Sequence, residues 1–527
     1  MVNTPSVSRS WRIRRLLTKA KTQGVSAYPC AMSDEIYEDA PEQMRVRLEK
    51  VARLRENGVE PYPVTYPRTR TIGEIREKYP ELEADTVTGE KVGITGRVML
   101  SRIGGKLCFA TLRDGTADIQ VMISLAGVGE DALKAWKRDV DLGDHVGVTG
   151  EVISSKRGEL SIMAESWAIT SKCLRPLPEK HAGLTDPEAR VRYRYLDLIV
   201  NDESRKMAHL RSDTVRAIRD FWHSEGYLEV ETPMLQRIHG GAAARPFKTH
   251  INAYNMEMYL RIAIELYLKR LVVGGIEKVF EINRNFRNEG ADSTHNPEFT
   301  MLETYGTYLD YNDMADLTQR SIQQAVVAAL GSTVVVHDNV EYDLGITEWP
   351  RKTVYGLVSD ALGEEVTPHT SIADVRKFAD AREVTWDAKW GQGKLVQEVF
   401  EELVEHTIMQ PTFVMDYPVE TSPLTRQHRF EPLLAEKWDL IGFGAELGTA
   451  YSELVDPIEQ RQRLTEQSLL AAGGDPEAMQ LDEDFLRALE YGMPPTGGMG
   501  MGIDRLIMAF TGKNIRETIL FPLVKPS

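Results

Sequence analysis

Cysteine is scarce in this chain: Cys30, Cys108 and Cys173 are the only three among 527 residues. Their wide separation leaves no zinc-type spacing and no disulfide framework, which fits a reducing compartment. Long apolar runs are missing too. Nothing approaches the roughly 18 consecutive apolar residues a membrane-spanning helix needs, so no membrane association is expected. The basic stretch "RSWRIRRLLTKAK" near the start is followed by no long apolar segment and no small-residue cleavage site. Residues 1–40 are therefore expected to form a disordered basic tail rather than a secretion signal. No internal repeat is present. Positive charge is in deficit, with a net charge of −16. That argues against a uniformly basic nucleic-acid-binding surface but leaves room for one basic face.

What is present divides the chain. A length of 527 residues is too long for one core and predicts two or three domains. From residue 41, "PEQMRVRLEKVARLRENGVEPYP" sets Met44, Leu48, Val51 and Leu54 at helical spacing. Arg45, Arg47, Lys50, Arg53 and Arg55 fall on the other faces, as a solvated surface or a polyanion contact. Gly58 and Pro61 end the helix. From Lys91 to about Thr170 the apolar period drops to two. Five short strands, with "EDALKAWKR" as a helix between the third and fourth, predict a Greek-key barrel of the oligonucleotide-binding (OB) type. Such barrels stack single-stranded bases on aromatic rings. Phe109 is then either a base platform or a core residue, with Arg97 and Gln120 near it in the pattern.

The predicted organisation is a helix and barrel over 41–175, a charged, Pro-rich linker over 176–200, and a large α+β domain over 201–527. The last is expected to be an antiparallel sheet flanked by helices, with a helical insertion at about 350–410. Its strands carry charges at alternate positions, the pattern of a sheet with one functional face.

Chemistry concentrates in three stretches. In "FEINRNFRNEGADSTHNPEFTMLETY", residues two apart on a strand share a face. Arg287 and Glu289 project together, as do Phe299, Met301, Glu303 and Tyr305, on strands joined by a loop. In "WDLIGFGAELGTAYSEL", Asp439 and Glu446 are hard oxygen donors suited to Mg²⁺. Thr449, Tyr451 and Glu453 alternate along one face there. In "PPTGGMGMGIDRL", glycines 498, 500 and 502 permit close backbone approach, and Arg505 follows at a helix start. A dinucleotide fold does not fit this last stretch, because no βαβ unit follows it.

Together these stretches resemble the three signature motifs of the class II aminoacyl-tRNA synthetases. "GYLEVETP" is similar to motif 1, "FRNE" to motif 2 and "GMGIDR" to motif 3. "GGAAARPF", "RIAIELYLKRLVVGG", "HNPEFTMLE" and "SPLTRQHR" resemble the lysyl subfamily, and the likeness spans roughly residues 41–527. It implies that the amino-acid carboxylate attacks the α-phosphorus of ATP, and that tRNA then takes the aminoacyl group. Catalysis falls to Arg287, Glu289 and Arg505. ATP is held by Arg287, Glu289, His295, Asn296 and Arg505, with adenine on Phe299. Mg²⁺ sits on Asp439 and Glu446.

The lysine site is implied at Gly241, Glu265, Arg287, Glu303, Tyr305, Thr449, Tyr451 and Glu453. Gly241 and Glu265 take the α-ammonium; Glu303, Tyr305 and Glu453 take the ε-ammonium. The charge logic agrees. Converging carboxylates repel and rise in pKa unless a cation joins them, and lysine supplies two ammonium groups. An anionic substrate such as aspartate would need basic residues instead. Arg97, Phe109 and Gln120 are implied to bind the anticodon of tRNA(Lys). Motif 1, Gly226–Pro233, is implied to form a homodimer, and the setting is cytoplasmic. Ile264, Ala445 and Thr449 stand where the family commonly has proline, arginine and asparagine. Two rival readings share these motifs: a paralogue that activates lysine or an analogue for another acceptor (or a duplicate, inhibitor-resistant form), and a non-catalytic tRNA-binding protein.

Overall fold

The computed structural model describes residue 37 and residues 39–178, 183–472 and 479–526. The tail expected over 1–40 lies almost wholly outside the described residues. The chain divides into two compact units, Met1–His181 and Ala182–Ser527.

The first unit is built on a closed barrel. Its strands are β1 (Val87–Arg102), β2 (Leu107–Arg113), β3 (Asp118–Ser124), β4 (His145–Ser154) and β5 (Leu160–Ser171), closed in the order β1-β2-β3-β5-β4. The period-two pattern does what it predicts. On β2, Cys108, Ala110 and Leu112 point into the core while Phe109 and Thr111 stay half-exposed. The helix Glu130–Asp139 between β3 and β4 buries Leu133 and Trp136 in the same core, and Trp136 meets Trp167 edge-on at 5.1 Å.

The helix Glu42–Glu56 buries Met44, Val51 and Leu54. Several of its cations are committed within the unit rather than freely solvated. Arg47 donates to the Cys173 carbonyl at 2.6 Å, Lys50 pairs with Asp141 at 2.7 Å and Arg53 with Asp139 at 2.8 Å. Arg45 and Arg55 remain exposed.

The second unit centres on an eight-stranded sheet. Its strands are β6 (Leu228–Glu229), β7 (Lys278–Phe286), β8 (Glu298–Thr307), β9 (Arg351–Thr353), β10 (Thr412–Pro418), β11 (Leu434–Gly442), β12 (Ala445–Ser452) and β13 (Thr496–Gly502). The spatial order is β9-β10-β11-β12-β13-β8-β7-β6, antiparallel except at its two ends, where β9 runs parallel to β10 and β6 to β7. One face of the sheet is covered by helices. Leu302, Trp438, Leu440, Met499 and Met501 pack there against Ile218, Phe221, Trp222, Met314 and Ile507. The helices Val354–Leu362, Ile372–Ala381 and Gln392–Leu403 share a core with Val414, Tyr417 and Ile441. The stretch read as linker includes two short helices, Pro187–Arg192 and Arg194–Val200. Arg194 ties the second of them to the carbonyls of Arg516 and Leu520, at 2.8 and 3.0 Å.

Lys172 is the electrostatic anchor of the barrel unit. Its ammonium is fully buried, 2.5 Å from both Asp141 and Asp144, and it donates to the Asp139 carbonyl at 2.7 Å. Removing one partner of a buried pair strands the other charge, at about 3–5 kcal/mol. Lys172→Met is therefore expected to lower the unfolding free energy of the barrel by about that amount. Chemical denaturation of the full chain checks this; an unchanged midpoint would rule the anchor out.

Candidate active site

The cross-strand register builds the site. One rung runs Asp439, Thr449, Gly500, Glu303, Glu281 from β11 across to β7, and the next runs Lys437, Tyr451, Gly498, Tyr305, Val279. Side chains directly opposite in an antiparallel pair share a face. Both rungs therefore present polar groups on the face opposite the helix-packed core. The middle strand, β13, contributes glycine to each rung. A Cβ on Gly498 would lie 2.0 Å from Glu453 Oε1 and 2.5 Å from the Tyr305 ring. The glycine-rich strand is thus a floor that leaves volume for acidic side chains from its neighbours.

Three carboxylates, Glu265, Glu303 and Glu453, are buried in this volume. Glu265 opens the helix Glu265–Val273. Glu303 Oε1 accepts from the Ile264 backbone N–H at 3.0 Å, and Glu303 Oε2 accepts from the Tyr305 hydroxyl at 3.3 Å. Burial, then the charge of Glu265, pushes the Glu303 carboxyl up to about 7. Glu453 is also raised, by burial and by Glu265, with Lys269 pulling the other way. Its Oε1 has no hydrogen-bond partner among the described residues. Tyr305 and Tyr451 are raised well above ordinary tyrosines, first by burial and then by Glu265. Gly241 adopts φ +86°, and a Cβ there would come within 3.2 Å of Glu265 Cβ. Its backbone is thereby brought against that glutamate.

Beside the acids lies a second cavity, of about 210 Å³, lined by Arg287, Glu289, His295, Asn296, Phe299, Glu446, Thr449 and Arg505 among others. Arg287 and Glu289 do not sit on a strand as the alternation suggested. β7 ends at Phe286, and Arg287 extends the ladder by one bond, its N–H donating to the Pro297 carbonyl at 2.9 Å. The Arg287 guanidinium lies 5.2 Å over the Phe299 ring, and its Nε has no partner among the described residues. Burial pulls this guanidinium below its ordinary value. Glu289 accepts from the Arg245 backbone at 3.3 Å, joining the "GGAAAR" loop to the cavity. His295 is more exposed and is organised by Asp292, 3.1 Å away. Asn296 accepts from the Leu523 N–H at 3.1 Å. Arg505 donates to the Glu446 carbonyl at 2.9 Å. Its neighbour Asp504 is buried and bonded to Arg211 and to the Thr300 N–H, at 2.5 and 2.7 Å, which fixes the start of that helix.

Planar guanidinium groups, an aromatic face and flanking carboxylates form a suitable receptor for a nucleoside triphosphate. Asp439 and Glu446 fit Mg²⁺ in part. Asp439 Oδ1 is buried without a hydrogen-bond partner among the described residues, while its other oxygen meets Lys437 at 3.0 Å. No cluster of three or more metal-ligating side chains occurs among the described residues. Mg²⁺ commonly uses one or two carboxylates and completes its shell with water and substrate phosphates, so two donors suffice here. Thr449 lines this same cavity, and its hydroxyl bonds the Trp438 carbonyl at 3.3 Å.

In the barrel, Phe109, Gln120 and Arg97 all lie on the half-exposed outer pattern of their strands. Phe109 sits opposite Met122, and Gln120 one rung away opposite Thr111. Gln120 donates to the Ser161 hydroxyl at 2.9 Å, and Arg97 to the Gly143 carbonyl at 2.9 Å. Of the three, Phe109 is the side chain without such a tether.

Two polar groups escaped the sequence reading. Lys269 is fully buried between Glu265 and Glu453, at 2.6 and 2.5 Å. Its position four residues after Glu265 was the available signal, since i and i+4 share a helix face. Glu405, in the turn Glu405–Thr407, is pushed up to about 7 by burial and by Glu446. Nothing local in its sequence marks that proximity. Ile264 is fully buried, and its N–H is the donor that holds Glu303. A proline at that position would lack this donor.

Residues 186–525 match the class II tRNA synthetases of the D, K and N group, and residues 92–170 match the OB-fold nucleic acid binding domain. The lysine–tRNA ligase of Kineococcus radiotolerans is 57% identical over 496 residues, covering 94% of this chain and 99% of that protein. That of Mycolicibacterium gilvum is 58% identical over 492 residues, covering 93% and 98%. A Rhodococcus opacus protein, the lysylphosphatidylglycerol biosynthesis bifunctional protein LysX, is 52% identical over 491 residues; they span 92% of this chain but 43% of that protein. With two domain families in this order and relatives matched from end to end, the chain belongs to the class II aminoacyl-tRNA synthetases, in the lysine–tRNA ligase family.

Proposed function

We infer that the protein condenses L-lysine with ATP to lysyl-adenylate and transfers the lysyl group to the 3′ end of tRNA(Lys). The observation that carries this reading is the convergence of Glu265, Glu303 and Glu453 in a buried pocket beside the Arg287–Phe299–Arg505 cavity. A buried acidic pocket selects a cationic side chain because an ionised carboxylate without a partner is costly. Lysine's carboxylate is then directed to the ATP α-phosphate beside Arg287, whose fork suits both anions. Phe299 carries the adenine and Arg505 the γ-phosphate, while Glu289, His295 and Asn296 close around the nucleotide. Mg²⁺, held by Asp439 and Glu446, would neutralise phosphate charge as the pyrophosphate leaves. Positioning and charge stabilisation provide the rate, with no covalent enzyme intermediate.

Phe109 stacks on an anticodon base, assisted by Gln120 and Arg97. A homodimer forms through Gly226–Pro233, where Leu228 and the following Leu235 are about half exposed. The working compartment is the cytoplasm. No helix among the described residues is long and apolar enough to cross a membrane. The likeness to the Rhodococcus protein motivates a second reading, in which the lysyl group is passed on to a different acceptor.

Lysine-dependent ATP–pyrophosphate exchange followed by charging of tRNA(Lys) tests the first reading. Exchange without charging would favour the second, and no exchange with any amino acid would reject both. Glu453→Gln is expected to raise the lysine KM at least about tenfold, a loss of about 1.4 kcal/mol, and to leave the ATP KM within about twofold. Equal effects on both substrates would remove Glu453 from the lysine site. The pH dependence has a fixed sign. Glu303 titrates near 7 in the empty site and must be ionised to receive an ammonium group. The lysine KM is therefore expected to rise as pH falls through 7, while the ATP KM does not follow it. Phe109→Ala is expected to cut tRNA charging at least about tenfold, consistent with about 1–3 kcal/mol per stacked base, with pyrophosphate exchange unchanged. A parallel loss of exchange would contradict an anticodon role.

A further inference from the structure

The buried cluster on the sheet face holds a fixed cation that the lysine-binding reading does not use. Lys269 Nζ lies 2.6 Å from Glu265 Oε1 and 2.5 Å from Glu453 Oε2, and its side chain is 0% exposed. A lone buried ammonium is costly, so its retention here needs a reason. Packing alone would be met by a methionine or leucine.

We propose that Lys269 is a positioning and specificity-determining residue. It is a resident counter-ion that holds Glu265 and Glu453 as carboxylates, occupies the inner end of the pocket, and leaves the outward Glu453 Oε1 as the atom that reads the substrate ammonium. The proposal rests on the lysine-binding reading and deepens it.

Four observations carry it. Lys269 engages one oxygen of each glutamate and so sets the distance between them through a single rigid group. Both Glu453 oxygens are buried without a hydrogen-bond partner among the described residues, but Oε2 is ion-paired with Lys269 and Oε1 is the atom left over. Oε1 lies against Gly498, where a Cβ would come 2.0 Å from it, so glycine at that position is what leaves room for this oxygen. The charge count then closes. Three carboxylates facing one lysine leave a surplus of two negative charges, and the substrate's two ammonium groups match it.

The other charged or titratable groups facing the cluster come from every element around it. They are Glu303 and Tyr305 on β8, Tyr451 on β12, Arg261 before the 265–273 helix, and Arg287 beyond β7. Arg261 is itself buried and committed to Glu281 at 2.8 Å, so Lys269 is the cation directly on Glu265 and Glu453. Burial lowers the Lys269 ammonium, but Glu265 and Glu453 outweigh it and the group stays protonated. Glu453, even so paired, sits above the usual carboxylate range. Without Lys269 the Glu453 carboxyl would take up a proton at higher pH, and that proton would oppose the binding of a cationic substrate.

The test uses the full-length enzyme and lysine-dependent ATP–pyrophosphate exchange from pH 6 to 9. Lys269→Met and Lys269→Gln are expected to move the pH at which the lysine KM begins to rise upward by about one unit or more. The ATP KM should stay within about twofold of the unaltered enzyme, and Lys269→Arg, which keeps the charge, should leave that pH in place. A KM raised equally at all pH values, or an unmoved pH limb, would assign Lys269 a packing role and overturn the proposal. Should the neutral variants fail to fold, a crystal structure of the unaltered enzyme with L-lysine decides. Lys269 must keep both glutamates while a substrate ammonium nitrogen lies within hydrogen-bond distance of Glu453 Oε1. Displacement of Lys269, or a substrate that leaves this oxygen untouched, would overturn it. If the unaltered enzyme shows no lysine-dependent exchange, the functional reading fails instead.

Discussion

The burial of acid on a glycine floor is the constraint on which the second unit depends. Glu265, Glu303 and Glu453 converge where ordinary side chains would fill the volume, and β13 yields the space by placing glycine at 498 and 500. Carboxylates so placed are unstable as neighbours in an empty pocket. Burial and the neighbouring acids raise Glu303 and Glu453, and the Ile264 N–H, Lys269 and the Tyr305 hydroxyl restrain them only in part. A cationic group docked among them would offset that repulsion.

The sheet converts that local tension into a two-substrate site. Its register sets Glu303 level with Gly500, Thr449 and Asp439, so these two carboxylates lie on one rung. Phe299 and Met301 continue along β8 into the nucleotide cavity. Arg287 stands just past the end of β7, where the chain leaves the ladder. The Arg287 guanidinium lies over the Phe299 ring at that point. The opposite face, packed on Trp438, Leu440 and Met501, keeps these rungs flat against a rigid core.

Much of this was legible because strands impose a simple period. The alternation Phe299, Met301, Glu303, Tyr305 and that of Thr449, Tyr451, Glu453 pointed to one polar face; β8 carries the first set and β12 carries Thr449 and Tyr451, with Glu453 just past its end. The barrel was legible for the same reason. What escaped depends on contacts between distant segments. Lys269 sits in "ELYLKRL", which reads as an ordinary amphipathic turn, and only the approach of Glu453 reveals its second partner. Glu405 is raised by acids about 40 residues further along the chain. The cations of the 42–56 helix read as a solvated face or a polyanion contact, whereas Asp139, Asp141 and the Cys173 carbonyl claim several of them. Ile264 stands where the family commonly has proline, and its N–H is what Glu303 uses.

The most direct test of the central claim is the proton balance of lysine binding. Calorimetric titration of the nucleotide-free enzyme at pH 7, in buffers of different ionisation enthalpy, reads it without catalysis. Glu303, which titrates near 7, is partly protonated at that pH, and Glu453 is raised as well, so protons are expected to be released when ammonium groups dock beside them. Release should fade by pH 9. Lysine binding with no proton release at pH 7, or with proton uptake, would contradict an acidic pocket held charged by its substrate.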